Sequence, residues 1–166
     1  EYAGFAGSIK MNVLNAVDRR VWKNCLYTLD GSGRVKERWT QWDKLFTRPH
    51  DVEISPYDPE KNVWVVDAEG HAVYKFSNDG ETLIWKLVDP ASKMSTQQQR
   101  AMPTLQPTDF GDPSVLTFLP DGQHFILADG YQNGRIQKWT TDGQFVSEFG
   151  IVDKDPATGG PPGAFD

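Results

Sequence analysis

Short apolar runs separated by turn residues recur along the chain and predict β-strands. Residues 63–66 and 125–128 are continuous apolar runs of the kind that is buried on both faces of a sheet. In 83–87 and 145–149, large apolar side chains return on one face, which is typical of strands with one covered side. Five Asp-Gly pairs, which favour tight hairpin turns, punctuate these runs. Because no convincing amphipathic helix is found, the pattern predicts an all-β chain.

The runs belong to a repeat of about 63 residues. Pro49-His50-Asp51-Val52-Glu53-Ile54 aligns with Pro113-Ser114-Val115-Leu116-Thr117-Phe118, and the runs ending in Asp67 and Asp129 align in the same way. The turns at Asp79-Gly80 and Asp142-Gly143 form the third landmark. The three pairs, 49 with 113, 67 with 129 and 79 with 142, lie 64, 62 and 63 residues apart. This agreement indicates a structural repeat, which decides the fold of a chain.

Each copy reads as four short strands, a to d. Strand a is 52–54 or 115–118, strand b is 63–66 or 125–128, strand c is 72–76 or 135–139, and strand d follows the Asp-Gly turn. An earlier, partial copy is visible in 25–29 and 35–39. Four-stranded repeats with little else predict a β-propeller, whose sheets pack radially as blades. Tryptophans at 39, 64, 85 and 139 are expected to anchor the packing between blades.

The chain supplies about two and a half blades, whereas propellers carry about four to eight. We expect a partial blade at about 10–40, a second blade at about 48–88, a long polar loop at 89–112, a third blade at about 113–150 and a linker at 151–166. The Gly-Pro-rich linker resembles the approach to another strand a. We therefore interpret the chain as a fragment of a longer propeller, with the rest of the ring missing; assembly of several chains into one ring is the alternative.

Composition narrows the function. Lys and Arg number 17 against 23 Asp and Glu, for a net charge of −6, which argues against nucleic acid as a partner. No apolar run approaches the roughly 20 residues of a membrane helix. Cys25 is the only cysteine, so an internal disulfide and a cysteine-based zinc site are excluded.

Strand parity predicts which loops meet. In an antiparallel blade the d–a connections and the b–c loops share one end, here called the upper end, and the a–b and c–d turns share the lower end. His50, Asp67, His71, Asp129, Tyr131 and the long loop are therefore expected to converge at the upper end. A functional cleft is expected there, near the axis, because function commonly lies on loops held by a rigid scaffold.

These segments resemble the NHL-repeat propellers, and within them the bacterial relatives of the six-bladed peptidyl-α-hydroxyglycine α-amidating lyases. The resemblance covers roughly residues 24–166. It depends on Arg48-Pro49-His50-Asp51-Val52, on 62–67 with 71–76, on Ala128-Asp129-Gly130-Tyr131-Gln132-Asn133-Gly134-Arg135-Ile136, and on Asp142-Gly143-Gln144-Phe145 with Phe149-Gly150. It implies cleavage of a C–N bond to give an amide and glyoxylate at a zinc centre, on a peptide or small-molecule substrate bound at the upper end. It also implies a secreted or periplasmic protein.

By resemblance, His50 corresponds to a zinc-binding histidine, Tyr131 to the catalytic tyrosine, and the carbonyl of Val52 to a calcium contact. Asp51 leaves two blade assignments open. In the family's last histidine-bearing blade such an aspartate binds calcium, whereas the Tyr131 blade that follows fits the first assignment, which we prefer. Because a catalytic zinc needs about three protein ligands, the remaining histidines are expected beyond residue 166, and the chain by itself is not expected to be a complete lyase.

Other readings stay open. His50 also suits a hydrogen-bonded loop histidine, Tyr131 a partly buried loop aromatic, and His71 a loop hydrogen-bonder; the sequence names no partner for His124. Asp67 and Asp129 recur at one repeat position, which favours a structural role in which each carboxylate accepts loop N–H groups, and Arg135 is expected to be structural too.

Two other function classes remain. A non-catalytic propeller that binds a protein or small ligand at its upper end is the main alternative, with residues 89–112 as the recognition loop. A different metal enzyme on the same scaffold, such as a lactonase-like hydrolase, is the other, because a fold does not dictate its chemistry.

Overall fold

A computed structural model describes residues 2–5, 22–88, 106–152 and 164–165. The strands are β1 (Tyr2–Phe5), β2 (Leu26–Leu29), β3 (Val35–Arg38), β4 (Pro49–Ile54), β5 (Val63–Asp67), β6 (Ala72–Phe76), β7 (Leu83–Val88), β8 (Val115–Phe118), β9 (His124–Asp129), β10 (Arg135–Thr140), β11 (Phe145–Phe149), β12 (Ile151–Val152) and β13 (Ala164–Phe165). Within these residues the one helical element is a single 3-10 turn, Thr40–Trp42. None of the helical structure described there has the length and apolar character needed to cross a bilayer.

The four strands predicted for each full copy of the repeat are confirmed in their order and in their antiparallel pairing. The first sheet is three-stranded and consists of β1-β2-β3. The second sheet, β4-β5-β6-β7, and the third sheet, β8-β9-β10-β11, are four-stranded and antiparallel. Strands β12 and β13 form a short parallel pair. These are all-β, four-stranded sheets of the kind found in a β-propeller fragment. Residues 10–21 of the partial blade, 89–105 of the expected long loop and 153–163 of the expected linker lie outside the described residues.

The largest difference from the predicted strand boundaries lies at the start of strand a in the second sheet. Strand β4 begins at Pro49, three residues before the predicted start of strand a. Pro49 pairs with Asp67 and Asp51 pairs with Val66, so His50 is an extra residue in the ladder. Such a bulge is invisible to the alternation of apolar and polar positions, because it adds a residue without adding a turn.

Within the described residues, the core consists of two apolar clusters, one on each side of the second sheet. Val63 and Val65 of β5 lie in the cluster shared with the first sheet. Trp64 and Val66 lie in the cluster shared with the third sheet. All four side chains are at most 1% exposed, which confirms that this continuous apolar run is covered on both faces. Burying each such side chain contributes about 1.5–3 kcal/mol, so this strand holds three sheets together.

Tryptophans connect each sheet to a turn of the next sheet. The indole of Trp39, which follows β3, lies against Gly80, and the indole of Trp85 in β7 lies against Gly143. Both glycines have positive φ, 74° and 90°. The 3-10 turn adds a further contact, because the indole N–H of Trp42 donates to the carbonyl of Gly80 over 2.7 Å. The role expected for these tryptophans is confirmed, and the contact repeats from one sheet to the next.

Replacing either glycine by alanine tests this contact. A Cβ at position 80 or 143 would overlap the neighbouring indole, whereas a Cβ at Gly33, which also has positive φ, would meet nothing. Backbone strain costs about 1–2 kcal/mol, and overpacking adds about 1–3 kcal/mol. We expect Gly80→Ala and Gly143→Ala to lower the free energy of unfolding in urea by about 2–5 kcal/mol, and the matched control Gly33→Ala by the strain alone. Equal losses at all three positions would show that the indole contact contributes nothing.

Candidate active site

The β4 bulge places His50 at the seam between the second and third sheets. Its Nδ1 lies 2.9 Å from the carbonyl oxygen of Ser114, and its Nε2 lies 3.1 Å from the hydroxyl of Tyr131. Ser114 is the residue that aligns with His50 in the repeat, so the seam joins equivalent positions of neighbouring sheets. Two residues that were predicted to converge at the upper end are thus in direct contact.

The surroundings of His50 determine its tautomer. A carbonyl oxygen accepts and cannot donate, so Nδ1 must carry the proton that it donates to Ser114. In the neutral ring Nε2 then holds the lone pair and accepts the hydroxyl of Tyr131. The Ser114 carbonyl therefore orients the imidazole through Nδ1, and the basic Nε2 faces the phenol of Tyr131.

Tyr131 is held mainly by groups of the second sheet. Its side chain is 58% exposed and lies in the loop between β9 and β10. Its ring centroid is 5.6 Å from that of His50 at an interplanar angle of 70°, and the guanidinium carbon of Arg48 lies 5.7 Å from the same centroid. A cation over an aromatic face contributes about 0.5–1 kcal/mol at an exposed site. The phenol therefore owes its position to contacts across the seam, since little of it is buried.

Asp67 and Asp129 fasten the upper-end loops rather than facing the His50–Tyr131 pair. Asp67 accepts the backbone N–H groups of Thr47, Arg48 and Gly70 at 2.7, 2.6 and 3.1 Å. Asp129 accepts the N–H of Gly111 at 2.7 Å. Both carboxylates are 0% exposed, and burial raises the pKa of each above its ordinary value. The predicted structural role is confirmed by these contacts.

Arg135 connects the upper-end segments of the third sheet by buried hydrogen bonds. Its guanidinium, 3% exposed, donates to Asp129 at 2.9 Å, to Glu148 at 2.9 Å and to the carbonyls of Gln106 and Asp109 at 3.2 and 2.9 Å. These bonds tie the segment before β8 to the loop that carries Tyr131. The structural role predicted for Arg135 is confirmed.

The two other histidines have partners of their own. Nδ1 of His71 lies 2.7 Å from the carbonyl of Phe110, and its Nε2 lies 3.7 Å from Asp112. His71 is thus the loop hydrogen-bonder that the sequence predicts. His124, for which the sequence named no partner, lies 2.8 Å from Asp121 at the lower end. The spacing of Asp121 and His124, three residues apart around a turn, could have indicated this pair.

Sequence reasoning did not single out Arg48 and Asp112 as site residues. Arg48 lies 3.3 Å from Glu69 and 3.8 Å from Asp112. The available signal was their place in the repeat: each directly precedes the proline at the start of strand a, and they are 64 residues apart. Opposite charges at equivalent positions of adjacent blades indicate a pair across the seam.

Asp51 and Val52, for which calcium contacts were predicted, lie on β4 below His50. An oxygen of Asp51 accepts the backbone N–H of Leu116 at 3.0 Å, which links β4 to β8, and burial raises the pKa of Asp51. Val52 packs against the first core cluster. Neither contact tests calcium binding, so both roles stay predictions.

The described residues fit one coordination position of a zinc site and do not complete it. Metal-binding histidines commonly donate their second ring N–H to a carbonyl, as His50 does. Within 2–5, 22–88, 106–152 and 164–165, however, no group of three His, Cys, Asp or Glu side chains is arranged to hold a metal ion. Tyr131, the other predicted site residue, contacts His50 directly, and its catalytic role is likewise a prediction.

Comparison with known proteins adds independent information. The chain is 30% identical over 122 residues to peptidyl-alpha-hydroxyglycine alpha-amidating lyase 1 of Drosophila melanogaster, a match that covers 72% of the chain and 19% of that protein. Lyase 2 of the same fly is 29% identical over 128 residues, covering 75% and 27%, and peptidyl-glycine alpha-amidating monooxygenase B of Xenopus laevis is 30% identical over 106 residues, covering 64% and 11%. No protein-family profile matches.

The chain is a distant homologue of amidating lyases. It spans about a fifth of the first of these relatives and 27% and 11% of the other two. The resemblance stated from the Pro-His and Asp-Gly-Tyr segments is thus confirmed at the level of relatedness to these enzymes.

Substitution at Arg135 tests how much its buried hydrogen bonds stabilise the fold. We expect Arg135→Lys to lower the free energy of unfolding by about 3–5 kcal/mol, because a single ammonium cannot replace a guanidinium that serves several buried acceptors. The matched control is Arg34→Lys, whose 3.3 Å pair with Asp30 has an arginine side chain that is 83% exposed. We expect that control to change stability by less than about 0.5 kcal/mol, as exposed pairs usually do. Urea unfolding followed by tryptophan fluorescence measures both, and a tolerated lysine at 135 would contradict the role.

Proposed function

We propose that the chain is part of an NHL-repeat β-propeller of the six-bladed type that acts as a peptidyl-α-hydroxyglycine α-amidating lyase, with Tyr131 as the proton acceptor and His50 as one zinc ligand. The observation that carries the proposal is the 3.1 Å contact between His50 Nε2 and the Tyr131 hydroxyl at the upper end. It gains support from the homology to amidating lyases. Secretion or a periplasmic location belongs to the same proposal.

The reaction converts a peptidyl-α-hydroxyglycine into a peptide amide and glyoxylate. The hydroxyl loses its proton, its oxygen becomes the aldehyde oxygen of glyoxylate, and the bond from the α-carbon to the amide nitrogen breaks. The nitrogen keeps the bonding electrons and takes up one proton, so no oxidant or reductant is needed. Zinc, when bound, would supply Lewis acidity that favours the deprotonated hydroxyl.

Tyr131 suits the proton-acceptor role by its position. Its oxygen lies at an accessible surface and is already hydrogen-bonded to a basic imidazole nitrogen. The guanidinium of Arg48 lies over the same ring, 5.7 Å from its centroid, and helps to hold the phenol in place. A positioned proton acceptor of this kind contributes typically about 100- to 10,000-fold to a rate.

His50 is the residue of the described chain that we propose as a zinc ligand. Its Nδ1–H is fixed on the Ser114 carbonyl, so Nε2 has the lone pair that would coordinate zinc. Coordination would replace the hydrogen bond that Nε2 accepts from the Tyr131 hydroxyl. The other ligands would come from residues outside the described ones. For calcium, we propose the carbonyl of Val52 and, in the alternative blade assignment, the carboxylate of Asp51.

The outer face of the third sheet supports a longer ring. Ala128, Ile136 and Phe149 form a cross-strand row, and it aligns with the row Val66, Val73 and Leu87, which the third sheet covers. Val115, which pairs with Ala128, is 47% exposed, and Phe149 is 60% exposed. A further blade packed on this row would bury it as the third sheet buries the second.

A non-catalytic propeller that binds a ligand at its upper end is the second candidate. The observation that favours it is the exposure of Tyr131, because exposed aromatic side chains are frequent anchors of binding surfaces. The two candidates differ in chemistry, so a product assay separates them.

Turnover of a benzoyl-capped α-hydroxyglycine by the full-length protein that carries this chain tests the activity. We expect equal amounts of benzamide and glyoxylate by chromatography. Tyr131→Phe should lower kcat by about 100-fold or more, because the proton acceptor is lost. Tyr57→Phe, at the lower end and 45% exposed, is the matched control and should leave kcat unchanged. Absence of glyoxylate from the wild-type protein would favour the binding candidate instead.

Metal analysis tests the ligand. We expect zinc in the full-length protein by elemental mass spectrometry, and a loss of most of it in His50→Ala, because a site that loses one of about three protein ligands binds zinc much more weakly. His124→Ala, whose imidazole pairs with Asp121 at the lower end, is the control and should retain zinc. Equal zinc content in all three proteins would overturn the ligand role of His50.

A further inference from the structure

Asp112 connects the two sides of the seam above His50. It occupies the repeat position of Arg48, immediately before the proline of the next strand a. One of its carboxylate oxygens, Oδ2, lies 3.8 Å from Nη2 of Arg48 and accepts a 2.6 Å hydrogen bond from the side-chain amide of Gln132. Its other oxygen lies 3.7 Å from Nε2 of His71. One carboxylate therefore contacts three different loops.

The position of Asp112 is fixed by its backbone conformation and by the hydrogen bonds of the residue before it. Its side chain is 15% exposed and its backbone has a φ of 60°, in the left-handed region that residues with a Cβ seldom adopt. The adjacent Gly111 is held on both sides, because its N–H donates to Asp129 and its carbonyl accepts from Gln132. The backbone around Asp112 is thus fixed, and its carboxylate is directed at the seam.

The two residues that contact Oδ2 of Asp112, Gln132 and Arg48, both lie next to Tyr131. Gln132 is the next residue along the loop, so the hydrogen bond that its side-chain amide donates to Asp112 fixes that loop beside the phenol. Arg48 lies over the Tyr131 ring from the opposite sheet. Because Tyr131 is largely exposed, these contacts and the hydrogen bond to His50 determine where its hydroxyl lies.

Glu69 competes with Asp112 for Arg48. It lies 3.3 Å from Nε of Arg48, and its side chain is 54% exposed, against 15% for Asp112. Glu69 thus attracts the guanidinium from the solvent side, and Asp112 attracts it from inside the seam. Solvent screens the exposed pair more strongly, so the inner carboxylate is the one that keeps Arg48 over the ring.

We propose that Asp112 is a positioning residue: together with Arg48 it holds the phenol of Tyr131 against the imidazole of His50. The position of the phenol stands on contacts alone. Its consequence for catalysis depends on the proposed lyase function, because only there is Tyr131 the proton acceptor. The two claims need readouts of different kinds.

The structural readout is the nuclear Overhauser effect between the ring protons of Tyr131 and His50. Asp112→Asn keeps an acceptor for Gln132 and removes the charge that attracts Arg48, whereas Arg48→Gln removes the pair from its other side. We expect a clear loss of cross-peak intensity in each variant, and no further loss in the double variant, because residues that act as one unit are not additive. Asp121→Asn, at the lower end, is the control and should leave the cross-peak unchanged.

An unchanged cross-peak in folded Asp112→Asn and Arg48→Gln would overturn the proposal. Dispersion of the amide spectrum establishes folding in every sample, and if Asp112→Asn does not fold, Arg48→Gln decides alone. In the full-length protein we expect Asp112→Asn to lower kcat several-fold with little change in KM. An unchanged kcat would refute the catalytic consequence, whereas a wild-type protein without lyase activity but with the cross-peak loss would refute the proposed function and leave the positioning role intact.

Discussion

Burial of both faces of the second sheet is the constraint on which the rest of the structure depends. Neighbouring side chains of β5 point to opposite faces, so Val65 packs against the first sheet and Trp64 against the third. Neither face can meet water without exposing a row of large apolar groups, and three sheets are therefore stacked in chain order. The Trp39–Gly80 and Trp85–Gly143 contacts then fix how each sheet is placed on the next.

Stacking in this way makes the seam between two sheets the place where polar groups can meet. The second and third sheets each have a d–a connection and a b–c loop at the upper end, and buried carboxylates at 67 and 129 fasten these loops by their backbone N–H groups. The His50–Tyr131 contact crosses the seam, as does the hydrogen bond that the backbone N–H of Leu116 donates to Asp51. The same interface thus packs the two sheets together and sets the geometry of the candidate site. Weaker packing between the sheets would separate His50 from Tyr131.

The position of the candidate site follows from the repeat, and its internal geometry does not. Strand parity is enough to send His50, His71 and Tyr131 to one end, because antiparallel strands reverse direction at each turn. Whether two of those side chains touch depends on the bulge at His50 and on the angle between sheets. The metal roles suggested for His50, Asp51 and Val52 require ligands that residues outside the described ones would supply.

The sequence by itself determined the elements and their order. Alternation and continuous apolar runs predicted strands b to d nearly to the residue, and Asp-Gly pairs located the turns, because these signals depend on neighbours along the chain. Only the tertiary structure decided that His50 forms a bulge, that Ser114 orients its imidazole and that Arg48 meets Asp112. These contacts join residues about 64 positions apart. Their geometry is set by how two sheets pack, which no local pattern encodes.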